Sequence, residues 1–158
     1  MTDNRPDAGD PFPDIAMETP EGKSVSIKDF AGKPVVVFFY PKANTPGCTT
    51  ESIDFSNLLP EFAKAGVAVL GASKDPPAKQ QKFIDKHDLK VAIASDPEEG
   101  GVTDALGVWT EKQNYGRTYM GIERSTFLVD AKGKIAKVWR KVRVKGHAEA
   151  VLEAAKAL

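Results

Sequence analysis

The 158-residue chain offers one thiol for chemistry, Cys48. It stands in Pro41-Lys42-Ala43-Asn44-Thr45-Pro46-Gly47-Cys48-Thr49-Thr50-Glu51, a stretch that leads into apolar residues at helical spacing. A thiol attacks as its thiolate. Unpaired backbone N–H groups where a helix begins, with the positive end of the helix dipole, favour that anion. Gly47 allows close backbone approach and offers its own N–H. Thr45, across a turn fixed by Pro46, places a hydroxyl within reach of the sulfur. Pro41 and Pro46 stiffen the segment, as a preorganised site requires. Free cysteines are more often inert packing, but such a residue would sit inside an apolar period, not between Gly47 and Thr49. The pattern points to a nucleophilic thiol.

The surrounding elements must hold that segment. Residues 1–158 read as a single domain opened by an extended lead-in of about residues 1–12, with Pro6, Pro11 and then Pro13 opposing a helix. Val25 and Ile27 alternate with Ser24 and Ser26, predicting a short strand. Val35-Val36-Val37-Phe38-Phe39-Tyr40 is β-branched and aromatic without alternation, as in a strand buried on both faces. Val67–Ser73 and Val91–Ala94 read as further strands. Phe55, Leu58, Leu59 and Phe62 predict a helix from about Thr49 to Ala65, which Pro60 should kink or split. Ala78–His87 and the tail His147–Leu158 read as helices. Ser125–Val129 and Ile135–Trp139 flank Asp130-Ala131-Lys132-Gly133 as a hairpin. The order implies an α/β fold, a central sheet with right-handed crossovers and helices on both faces. Sites in such folds gather at the C-terminal ends of the strands, where Pro41–Cys48 leaves the most buried one.

Composition narrows the function. Twenty-two basic and 22 acidic residues give a formal charge of zero, against the basic excess that nucleic acid or an anionic membrane would attract. One cysteine excludes an intramolecular disulfide and a zinc site built on several thiolates. His87 and His147 lie far apart in sequence without ligand partners, so no metal is expected. The run Val35–Tyr40 is too short to span a bilayer, and the first residues lack an apolar signal-peptide core. A cytoplasmic protein is expected, since reducing surroundings suit a lone thiol.

Pro41…Thr45…Cys48 fits the Pro-x-x-x-Thr-x-x-Cys signature, and Phe38 to Thr49 resembles the peroxiredoxins of the bacterioferritin-comigratory-protein or PrxQ type. The resemblance continues through Gly66-Val67…Val69-Leu70-Gly71, Gly107-Val108-Trp109 and Gly121 to Asp130, covering roughly residues 10–155. It implies a thioredoxin-like fold with a central mixed sheet, a monomer, and no cofactor. It also implies reduction of hydrogen peroxide and organic hydroperoxides, with Cys48 passing from thiolate to sulfenic acid. By position, Thr45 hydrogen-bonds in the site and Arg124 favours the thiolate and polarises the peroxide. Pro41 shields the sulfenate, the Gly47 and Cys48 amides donate, and Glu51 orients Arg124. Fixed donors where charge builds on the leaving oxygen lower such a barrier. Phe39, Tyr40 and Trp109 are candidate walls of an apolar substrate pocket. Arg117, Arg140 and Arg143 read as surface charges, and Lys141 to Lys145 as a solvated strand edge or connection.

Many relatives carry a resolving cysteine, but the two positions where it would fall are Ile53 and Phe83-Ile84. The sulfenic acid must then be reduced by an outside thiol: thioredoxin, glutaredoxin or a small thiol. The alternative reading is a peroxide sensor or redox relay whose sulfenate persists and forms a mixed disulfide with a partner. A thioredoxin-like disulfide reductase is disfavoured, because no Cys-x-x-Cys pair exists.

Overall fold

The computed structural model describes residues 5–42, 45–97, 99–114 and 116–158. Ala43 and Asn44 of the cysteine segment, and the first four residues of the lead-in, lie outside these. The strands are β1 (Met17–Glu18), β2 (Ser24–Val25), β3 (Val35–Phe39), β4 (Ala68–Ser73), β5 (Ala92–Ser95), β6 (Trp109–Asn114), β7 (Arg117–Ile122), β8 (Ser125–Val129) and β9 (Ile135–Trp139). The helices are α1 (Pro46–Lys64), α2 (Pro77–His87), α3 (Val102–Leu106) and α4 (His147–Lys156), with a 3-10 turn at Ile27–Phe30. Seven strands form a mixed sheet in the order β2-β1-β5-β4-β3-β8-β9. β3, β4 and β5 run parallel, while β8 pairs antiparallel to β3 from Val35↔Val129 to Phe39↔Ser125. That register places residue 124, just before β8, beside the C-terminal end of β3.

Alternation along β3 divides the core. Val36, Phe38 and Tyr40 join Phe55 and Phe62 of α1, Phe83 of α2 and Val151 of α4 on one face. Val35, Val37 and Phe39 join Phe12, Leu106 of α3 and Ile122 on the other. Helices cover both faces, though unequally: the second has only the short α3, aided by the lead-in and the β6–β7 hairpin. Phe38 stacks on Phe55 with ring centroids 4.4 Å apart and planes 11° from parallel, a contact contributing about 0.5–1.5 kcal/mol beyond its burial. Gly71 makes room for it, since a Cβ there would lie 2.6 Å from Phe38 Cζ. This stack fixes α1 on the sheet and, through α1, the cysteine at its start.

Three expectations change. Ile27 opens a 3-10 turn instead of extending a strand. α1 begins at Pro46, three residues before Thr49, and runs unbroken through Pro60 for 19 residues. Pro60 is exposed, and the anchored Phe55 and Phe62 on either side of it are fully buried, so packing outweighs the lost backbone bond. Arg140 is half-buried: its guanidinium donates to the carbonyl of Pro6 at 2.6 Å and stands over the Phe127 ring. It ties the lead-in to the sheet, as does the Phe12 N–H bonded to the Gly133 carbonyl.

Candidate active site

Thr45 is the N-cap of α1, so Pro46, Gly47 and Cys48 are its first three helical residues. The first intrahelical bond runs from the Thr49 N–H to the Thr45 carbonyl at 2.9 Å. The amides of Gly47 and Cys48 precede it and have no acceptor within the helix. The sulfur therefore sits in the first turn at the positive end of a long helix, where negative charge is stabilised. Cys48 is fully buried.

Arg124 brings the charge. It follows β7 and precedes β8, and its Nη2 donates to Cys48 Sγ at 3.2 Å. Its Nη1 donates to Glu51 Oε1 at 2.7 Å, an ion pair in which both side chains are largely withdrawn from water. Glu51 lies one turn beyond Cys48, so one helix face presents both partners to one guanidinium. Burial pushes the Glu51 carboxyl up to about 7, against the opposing charge and hydrogen bond of Arg124. Burial also disfavours the Arg124 cation, but Glu51 and Cys48 outweigh it and hold its pKa above the ordinary value. Gly47 completes the fit: a Cβ there would stand 3.1 Å from Arg124 Nη2.

The other candidates divide. Pro41 and Thr45 line an open cleft of about 450 Å³ beside the cysteine turn, with Trp109, Lys112 and Met120 opposite. Thr45 Oγ1 donates to the Lys42 carbonyl at 2.9 Å, so its proton fixes the turn and does not go to the sulfur. Trp109 is half-buried and walls the cleft, held by Lys74 with Nζ 5.0 Å from the ring centroid. Phe39 and Tyr40 do not join it; each is fully buried, on opposite faces of the sheet. β3 alternates into two cores, leaving neither ring for a pocket. Among the described residues no group of three or more His, Cys, Asp or Glu is placed to hold a metal, and no helix is long and apolar enough to cross a membrane.

Two features of the site carry no sequence signal of their own. Lys112 reaches the cleft from β6, its Cδ 3.0 Å from where a Cβ on Gly121 would stand. It lies in the polar run Thr110-Glu111-Lys112-Gln113-Asn114, whose composition suggests a loop. His147 is buried behind the site, with Nε2 2.8 Å from Thr126 Oγ1 and its ring edge-on to Phe55 and Trp139. Burial, then the Arg124 charge, depresses it to about 4 and keeps the imidazole neutral.

A model of the AhpC/TSA family matches residues 8–138. Peroxiredoxin Bcp of Bacillus subtilis is 43% identical over 148 residues, spanning 94% of each chain. Peroxiredoxin Q of Xanthomonas campestris superposes with a TM-score of 0.87 at 43% identity, over 95% of this chain and 97% of that one. A structure of the X. campestris bacterioferritin comigratory protein, solved to study its alkyl peroxide reduction, aligns with a TM-score of 0.87 at 42% identity. That alignment covers 96% of this chain and 98% of the other.

Proposed function

The chain belongs to the AhpC/TSA family as a Bcp-type peroxiredoxin with a thioredoxin-like fold, a thiol-dependent peroxidase, and from that premise we propose that Cys48 is its peroxidatic nucleophile, held by Arg124. The observation that carries this is the single guanidinium hydrogen-bonded to both Cys48 Sγ and Glu51. A hydroperoxide enters past Pro41 and Thr45. The Cys48 thiolate attacks the terminal peroxide oxygen, an S–O bond forms as the O–O bond breaks, and water or an alcohol leaves with a proton. Arg124 and the first-turn amides of Gly47 and Cys48 stabilise the charge that moves from sulfur to the leaving oxygen.

Glu51 acts through Arg124 as a positioning residue, and Thr45 acts by shaping the turn. The sulfenic acid is reduced by an external thiol, because the chain has no second cysteine to resolve it. Thioredoxin, glutaredoxin and a small thiol are the candidate donors. The half-apolar cleft beside Trp109 admits alkyl hydroperoxides as well as hydrogen peroxide. The protein works as a monomer in the cytoplasm, where reducing conditions keep a lone thiol available.

Steady-state turnover with hydrogen peroxide, tert-butyl hydroperoxide and cumene hydroperoxide, each against the three donors, tests this reading. Repeated turnover with at least one donor is expected. A single stoichiometric oxidation with every donor, followed by a persistent sulfenate, would favour the sensor instead.

A further inference from the structure

The run Lys141-Val142-Arg143-Val144-Lys145 joins β9 to α4 beside the cysteine turn. Its valines are half-buried and its three cations exposed. The Val142 N–H donates to the Arg124 carbonyl at 3.0 Å. Val144 Cγ2 lies 4.0 Å from where a Cβ on Gly47 would stand. The loop thus touches both the residue that holds the sulfur and the turn that carries it. Lys141 has φ of 52°, a left-handed backbone that costs a non-glycine residue energy and is imposed by its surroundings. Lys28, Lys74 and Lys90 each meet a carboxylate. None of Lys141, Arg143 and Lys145 forms a salt bridge with a described residue. Among the described residues they form an exposed basic patch without an ion-pair partner, on a chain of zero formal charge.

We propose that Lys141, Arg143 and Lys145 are the docking surface for the reductant, and that this reductant is a thiol protein with an acidic rim around its cysteine. The inference rests on the peroxidase reading of Cys48. Three cations spread over five residues reach up to about 13 Å apart, more than a small thiol of one net negative charge can engage. A protein partner uses all three, and complementary charge accelerates its encounter. On docking, the partner thiolate attacks the Cys48 sulfenic sulfur; an S–S bond forms and water leaves. The partner's second thiol breaks that bond, so the partner departs as a disulfide, two electrons poorer, and Cys48 returns to the thiol.

The test compares wild type with K141E/R143E/K145E and with K33E/K132E/K134E, which makes the same charge change in exposed residues at the opposite end of the sheet. Each is oxidised with one equivalent of hydrogen peroxide and re-reduced separately by an acidic thioredoxin, an acidic glutaredoxin and uncharged dithiothreitol. At least one protein donor should re-reduce wild type at a rate that falls with added salt. That rate should drop about tenfold or more in the loop variant at low salt and stay within about twofold in the distal variant. Dithiothreitol should serve all three alike. The inference is overturned if the loop variant keeps the wild-type rate with the protein donor, if the distal variant slows equally, or if only dithiothreitol reduces wild type. It is also overturned if dithiothreitol slows in step with the protein donor. The charge-neutral K141Q/R143Q/K145Q repeats the comparison with a milder perturbation. Failure of wild type to form a sulfenic acid would show before any donor is added, and would instead refute the peroxidase reading.

Discussion

Arg124 Nη2 and Cys48 Sγ lie 3.2 Å apart, joined from the end of one strand to the first turn of a helix 76 positions earlier. The contact is formed by a side chain that cannot lose its charge near neutrality. Glu51, at 2.7 Å from the other arm of the guanidinium, keeps it from swinging away. The sulfur is thus held against a fixed cation inside the protein, where such an interaction is screened far less than in water.

Arg124→Lys should slow Cys48 oxidation by about 10²-fold, the usual loss when a fixed donor to developing charge is removed. One ammonium cannot satisfy Glu51 and Cys48 at once. Stopped-flow fluorescence during a single peroxide turnover would show the loss, with circular dichroism confirming the fold.

Glu51→Gln keeps an acceptor for Arg124 but removes the charge, so oxidation should slow less, by about tenfold. Its stability should also respond differently to pH. The Glu51 carboxyl is raised by burial to about 7 in the folded chain, so between its unfolded value and 7 the unfolded state releases the proton first. Wild type therefore gains its full Glu51 contribution below the unfolded value and loses it as pH rises through 7. Since His147 is present in both proteins, the urea midpoint of wild type minus that of the variant should fall between pH 4.5 and 7.5.

Gly47→Ala should lower the peroxidase rate by about tenfold or more with little change in melting temperature. Its Cβ would press within 3.1 Å of Arg124 Nη2, and misplacement of a reacting group by a fraction of an ångström costs rate more than stability. Comparison of the thermal midpoint with the single-turnover rate separates the two.

The cysteine, the parallel strands β3 to β5 and the closing hairpin were legible because each has a strong local pattern. Cys48 follows a buried strand and precedes an apolar helical period, and Arg124 is identified by its family register. The β6–β7 hairpin was not legible: Tyr119 and Met120 are exposed, and Glu111 and Lys112 show no apolar alternation. Its pairing is set by cross-strand backbone bonds that composition does not reveal. The start of α1 was placed late because Pro46 and Gly47 disfavour helix interiors, yet both are tolerated in a first turn. The burial of His147 depends on Phe55 and Trp139 meeting across the fold, a long-range fact.

His147 supplies an opposite pH response. Burial depresses it to about 4 in the folded chain, so its contribution is fully present above pH 6.5 and is lost as pH falls through 4. His147→Gln should remove that part of the acid sensitivity, lowering the melting temperature more near pH 7.5 than near pH 4.5. Thermal melts of both proteins across this range give the comparison.

The central claim is that Cys48, gripped by Arg124, takes the peroxide oxygen. Its most direct measurement is the intact mass of fully reduced protein after one equivalent of hydrogen peroxide, with dimedone present to trap sulfenic acid, and the consumption of peroxide followed in parallel. One dimedone adduct located at Cys48, with matching loss of peroxide and neither in Cys48→Ser, is the predicted result. Consumption of peroxide by Cys48→Ser at the wild-type rate, or an unmodified Cys48 after the peroxide is gone, would contradict it.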